Sequence, residues 1–155
     1  MIDAPRRSSV FRVLLVEDDP DHAELVRRGL ADQRAAVDVT VIEDGEAALE
    51  YLQRRTSTDE DRPHLILLDL RLPRMDGLQL LSAVKAVPEL RGIPCVVLTT
   101  SDAERDVKRA YELHANSYLV KPADHSGYSE LMGHVEKYWL HSNKQPISSP
   151  AASLA

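Results

Sequence analysis

Four places along the chain carry residues that could do chemistry together. Glu17, Asp18 and Asp19 stand in a row, Asp69 stands alone, Thr99 and Thr100 form a pair, and Lys121 precedes a proline. Each group directly follows a short apolar run. Carboxylates crowded into one cleft repel one another and call for a counter-charge. Magnesium suits that need, because it takes oxygen ligands and keeps waters alongside one or two carboxylates and a phosphate. Lys121 adds a point positive charge able to reach a phosphate oxygen, and Thr99 adds a hydroxyl able to donate to another. Asp69 ends an apolar run, which suits a carboxylate nucleophile that must be held still. Phosphoryl transfer depends on in-line positioning and electrostatic stabilisation, and this set of groups supplies both. Taken singly, each has an ordinary alternative. The acid row could cap a helix, Asp69 could be a turn residue, the threonines could be strand ends, and Lys121 could sit on the surface.

Only the fold can make them neighbours. The runs 11–16, 36–42, 65–68, 95–98 and 118–120 read as strands. The first, third and fourth are near-continuously apolar, as in strands buried on both faces of a parallel sheet. Between them lie segments with helical spacing. Their faces are marked by His22, Leu25, Val26, Gly29 and Leu30; by Ala48, Tyr51 and Leu52; by Leu78, Leu81 and Val84; by Val107, Ala110, Tyr111 and His114; and by Tyr128, Leu131, Met132, Val135 and Trp139. Asp44, Asp76 and Asp102 stand at expected helix caps, and Pro88 and Pro94 bracket the exit from the third helix. The alternation βαβαβαβαβα implies an α/β fold: an open, doubly wound parallel sheet covered by helices on both sides. In such a sheet every position following a strand lies at the carboxyl edge, where open α/β folds bind ligands.

A chain of 155 residues fits one domain, 43% apolar and 28% charged. We expect a domain over residues 11–140 between flexible polar tails, 1–10 and 141–155, and an exposed loop near 55–62. The net charge of −6 argues against a general nucleic-acid surface. The single Cys95, inside an apolar run, reads as a buried thiol. No apolar stretch approaches the roughly 18 residues that span a bilayer, and no signal-peptide pattern opens the chain, so a cytoplasmic protein is expected. Tyr138, Trp139 and Leu140 give the end of the last helix an apolar surface that suggests a homodimer.

The runs LLVEDD at 14–19, LLDLRLPRMDG at 67–77, VVLTTSD at 96–102 and SYLVKP at 117–122 resemble the receiver domains of two-component signalling. The resemblance implies a flavodoxin-like (CheY-like) five-stranded sheet in the order 2-1-3-4-5. It implies Asp69 as phosphoacceptor, Thr99 and Lys121 as its helpers, and Glu17, Asp18, Asp69 and the backbone carbonyl of Arg71 as ligands to Mg2+, with Mn2+ able to substitute. Asp19 is a weaker candidate. It further implies a switch through Thr99 and Tyr118, tuning of hydrolysis at Arg71 and Ser101, and a cis bond between Lys121 and Pro122. A narrower likeness, carried by VEDGEAALEYL, YELHANSYLVKP and EKYWL, is to the short response regulators that accompany bacterial and cyanobacterial phytochromes. It implies a phytochrome-type sensor histidine kinase as donor and a tendency to dimerise. Ala115-Asn116-Ser117 departs from the Gly-rich turn common in receivers.

Three other classes compete. An aspartyl magnesium-dependent phosphatase usually has a second acid two residues past its nucleophile, where Arg71 stands here. A pseudo-receiver would lack competent site residues, and all five positions are filled. A flavin or nucleotide carrier would need a Gly-rich phosphate loop after a strand, and none is present. The expected function is therefore a signalling acceptor, not a conventional enzyme, that catalyses its own phosphorylation and slow dephosphorylation. Too few residues follow Leu140 for a helix-turn-helix module, so no direct nucleic-acid contact is expected.

Overall fold

The computed structural model describes residues 10–33, 36–55 and 62–145. In chain order the elements are β1 (Phe11–Val16), α1 (Pro20–Ala31), β2 (Val37–Ile42), α2 (Gly45–Gln53), β3 (Leu65–Leu68), α3 (Gly77–Ala86), β4 (Cys95–Thr99), α4 (Glu104–Glu112), β5 (Ser117–Val120) and α5 (His125–Val135). A π-helical stretch, Glu136–Ser142, continues α5. All strand pairs are parallel, and the sheet runs β2-β1-β3-β4-β5. The expected order 2-1-3-4-5 is the order observed. Most of the loop expected near 55–62, and the tails 1–9 and 146–155, lie outside the described residues.

The near-continuous apolar strands follow from two-sided burial, because successive side chains point to opposite faces. Leu14, Val16, Ile66, Leu68 and Val97 join a core with Ala48, Leu52, Leu80, Leu81, Val84 and Ala110 from α2, α3 and α4. The alternate residues Val13, Leu15, Leu65, Leu67, Val96 and Leu98 join Ala23, Val26, Leu30, Tyr128, Met132 and Val135 from α1 and α5. Burying each such side chain contributes roughly 1.5–3 kcal/mol before conformational entropy is charged against it. Cys95 is fully buried among them, and desolvation pushes its thiol up to about 11.

Two expected caps hold. Asp44 accepts from Ala47 N at 2.7 Å, and Asp76 forms a reciprocal capping box with Gln79. Asp102 does not cap α4. The cap position is Ala103, so α4 has no side-chain cap; the Ser101 hydroxyl accepts from Ala103 N at 3.3 Å and donates to Asp106 Oδ2 at 2.6 Å. Only Ala110 of the expected α4 face is fully buried. Tyr111 is exposed, and His114 has left the helix at a positive φ of 72°. The chain end also differs from expectation. Leu140 is buried, Trp139 is half-buried against the α1/α5 core, and of the three apolar residues there Tyr138 alone is exposed. Order persists past 140, since Gln145 reaches back to the carbonyl of Trp139.

Candidate functional site

The carboxyl edge of the sheet gathers the residues singled out above. Glu17 follows β1 and is buried, with its backbone N–H donating to Ile42 O at 3.0 Å. Asp18, next in line, is exposed. Asp19 turns to a different task. Its carboxylate accepts from Asp21 N at 2.9 Å and His22 N at 3.3 Å and so caps α1, with Pro20 opening the helix. One acid of the row thus fixes the helix, leaving Glu17 and Asp18 for the cleft.

Asp69 follows β3, and its N–H donates to Val16 O at 3.0 Å, which locks it beside the end of β1. The following loop must return sharply to start α3, and Gly77 makes this possible. A Cβ at Gly77 would lie 2.1 Å from the carbonyl oxygen of Asp69. Gly77 N donates to Leu70 O at 2.9 Å, closing the loop. Thr99 ends β4, and its carbonyl accepts from Lys121 N at 2.7 Å, so the threonine and the lysine are tied through the backbone.

Lys121 is the hub. Its ammonium donates to Glu17 Oε1 and to Asp69 Oδ2, the latter at 2.8 Å, with all three side chains largely buried. The Lys121–Pro122 bond is not cis; no cis peptide occurs among the described residues. The lysine reaches both carboxylates from a trans bond, because the backbone tie to Thr99 already aims it inward. Carboxylate oxygens of Glu17, Asp18 and Asp69 all lie within 4.8 Å of one another.

Electrostatics separates the two buried acids. Burial and repulsion from Asp69 outweigh the pull of Lys121 at Glu17 and raise its pKa from 4.5 to about 7. Asp69 is also penalised by burial, but the Lys121 hydrogen bond and charge prevail and hold its pKa below the usual value. Those two acids raise the Lys121 pKa in spite of its burial. The Thr99 hydroxyl is buried and makes no hydrogen bond of ordinary geometry to any described residue, although it lies near enough to Asp69 to help keep that carboxylate ionised. Tyr118 is half-buried, and its hydroxyl donates to Ser101 O at 2.8 Å, linking β5 to the β4–α4 loop. Arg71 N approaches Asp69 Oδ1 at 3.4 Å, and its side chain is exposed.

One participant escaped the sequence reading. His22, taken there as part of a helix face, brings Nδ1 to 2.9 Å from Lys121 Nζ. The available signal was its place in the first turn of α1, directly after the acid row.

The family model of the response regulator receiver domain matches residues 13–132. The chain belongs to that family. Among relatives of this receiver, the probable methanogenesis regulatory protein FilR2 of Methanothrix harundinacea is 41% identical over 136 residues, 88% of each chain. Response regulator Rcp1 of Synechocystis is 39% identical over 141 residues, 90% of this receiver and 93% of Rcp1. The Mn(2+)-bound structure of Rcp1 superposes with a TM-score of 0.79 at 38% identity, covering 88% of this chain and 99% of that one. The phosphorylated cyanobacterial phytochrome response regulator RcpA gives a TM-score of 0.81 at 36% identity, covering 88% and 98%. As a receiver the chain is a signalling domain that accepts a phosphoryl group in a magnesium-dependent reaction, and not a conventional enzyme.

The residues fit a hard divalent cation. Three carboxylates offer oxygens within 4.8 Å of one another beside a single lysine, a set of hard oxygen donors that such an ion takes. No helix among the described residues is long and apolar enough to cross a membrane.

Proposed function

We propose that Asp69 is the phosphoacceptor and that a sensor histidine kinase of the phytochrome type is the donor. One observation carries the assignment of Asp69. It is held ionised by a buried lysine, while the buried threonine hydroxyl beside it makes no hydrogen bond of ordinary geometry to any described residue. Buried hydroxyls are normally satisfied, so an orphan at this edge fits an oxygen that arrives with the phosphoryl group. In the transfer, an Asp69 oxygen forms a bond to phosphorus as the bond from phosphorus to the donor imidazole nitrogen breaks. Lys121 then faces a phosphoryl oxygen instead of the Asp69 oxygen it held. Thr99 moves to donate to another, and Tyr118, coupled to Ser101, shifts with the β4–α4 loop.

Glu17, Asp18, Asp69 and the carbonyl of Arg71 would hold Mg2+, or Mn2+ in its place. The ion supplies charge neutralisation for the incoming phosphoryl oxygens. This chain thereby catalyses its own phosphorylation and slow dephosphorylation in the cytoplasm. RcpA, named for a phytochrome pathway, supports the kinase class.

Acetyl phosphate with magnesium is expected to add one phosphoryl mass to the wild type and none to Asp69→Asn, as read by intact-mass spectrometry with and without chelator. Label on the Asn variant would refute the assignment. Tyr138, 56% exposed and packed edge-on against Trp139 at 5.0 Å, supports a homodimer through this end of the chain. Sedimentation of Tyr138→Ser should then shift toward monomer; a wild type that is monomeric at every concentration removes the idea.

A further inference from the structure

The Lys121 ammonium has three hydrogens and three partners: Glu17, Asp69 and His22. Glu17 is a proposed ligand to the metal and Asp69 the proposed phosphoacceptor. The acceptor oxygens of Glu17 and Asp69 are wanted by a divalent cation, and Asp69 is itself covalently changed. His22 Nδ1 alone is left unaltered by either event. An ammonium can only donate, so Nδ1 at 2.9 Å must be the acceptor, and the imidazole proton sits on Nε2. Nε2 faces Asp19 Oδ2 at 3.6 Å, an acidic neighbour that favours this tautomer. The ring is fixed from both sides. Its backbone lies in the first turn of α1, capped by Asp19, and Tyr128 of α5 packs beside it with ring centroids 6.4 Å apart.

We infer that His22 is a positioning residue for phosphoryl transfer, holding one hydrogen of the Lys121 ammonium so that the others remain aimed at the acceptor oxygens. A flexible lysine released from its carboxylate partners would otherwise sample many rotamers, and placement of the charge would cost entropy during the reaction. An imidazole acceptor outside the metal's ligand set keeps it placed. The role rests on the acceptor reading given above.

The test uses the full chain with acetyl phosphate and saturating magnesium, following the rate of phosphoprotein formation by intact mass. His22→Leu removes the acceptor at similar size, and His22→Asn restores an oxygen close to where Nδ1 stood. The Leu variant is expected to slow labelling about three- to tenfold, and the Asn variant to recover to within about twofold of wild type. In a Lys121→Ala background, His22→Leu should cause no further loss, because its effect passes through that ammonium. Melting curves of the single variants check that the fold is kept. An Asn variant as slow as Leu, a Leu variant as fast as wild type, or an equal loss in the Lys121→Ala background would each overturn the role. A wild type that takes no label would instead overturn the acceptor reading, on which this role depends.

Discussion

The two ends of the sheet bury polar side chains in opposite manners. At the amino end the His64 imidazole Nδ1, in a residue 2% exposed, accepts from Arg12 N at 2.9 Å, the His64 backbone N–H donates to Arg12 O at 2.8 Å, and Phe11 meets the ring edge-on at 5.2 Å. Every one of these contacts is attractive. At the carboxyl end Glu17 and Asp69 share a single lysine, and burial, with repulsion from Asp69 added, leaves Glu17 with a pKa of about 7. One end serves the fold, whereas the other is held away from its own optimum by the fold. Binding sites commonly carry such a stability cost.

Substitutions at the two ends should therefore act with opposite sign. His64→Ala removes a satisfied, well-packed group and is expected to destabilise the protein by roughly 2–3 kcal/mol, read by urea denaturation, with the rate of labelling from acetyl phosphate unchanged. A smaller change of the other sign is expected for Glu17→Gln. The Glu17 pKa is raised on folding, from 4.5 to about 7, so the folded state binds the extra proton between those values. Wild-type stability contributed by this group is present at low pH and is lost as pH rises across that window. In chelator, Glu17→Gln should match the wild type near about pH 5 and exceed it by on the order of 1 kcal/mol near about pH 8, with the stabilisation by magnesium much reduced. A Gln variant less stable than wild type at the higher pH would mean that Lys121 compensates Glu17 in full.

The residues at the strand ends could be read in advance because the strands that carry them are continuous apolar runs, which fix both the parallel sheet and its carboxyl edge. Asp44 and Asp76 were readable as caps for a similar reason: cap chemistry is local. What escaped depends on three-dimensional competition. Asp102 is not the cap because Ala103 occupies that position, while the Ser101 hydroxyl ties Ala103 N to Asp106. His22 has the spacing of a core-facing helix residue, and only the approach of α1 to Lys121 reveals it as polar machinery. Leu140 lies eight residues after Met132, on the same core-facing side of the helix, so its burial continues the α5 face and leaves Tyr138 as the exposed apolar residue there. The Lys121–Pro122 bond was expected to be cis from resemblance alone, and nothing in the local residues demanded it.

Gly77 extends the site beyond the groups that do chemistry. It offers no functional atom, yet even one added methyl would be driven into the backbone oxygen of Asp69, the proposed phosphoacceptor. In a mutational survey scored by signalling output, position 77 would be as intolerant as a reactive side chain, for purely steric reasons. Intolerance of substitution there would measure how little room the strand end has to move, and nothing about reactivity.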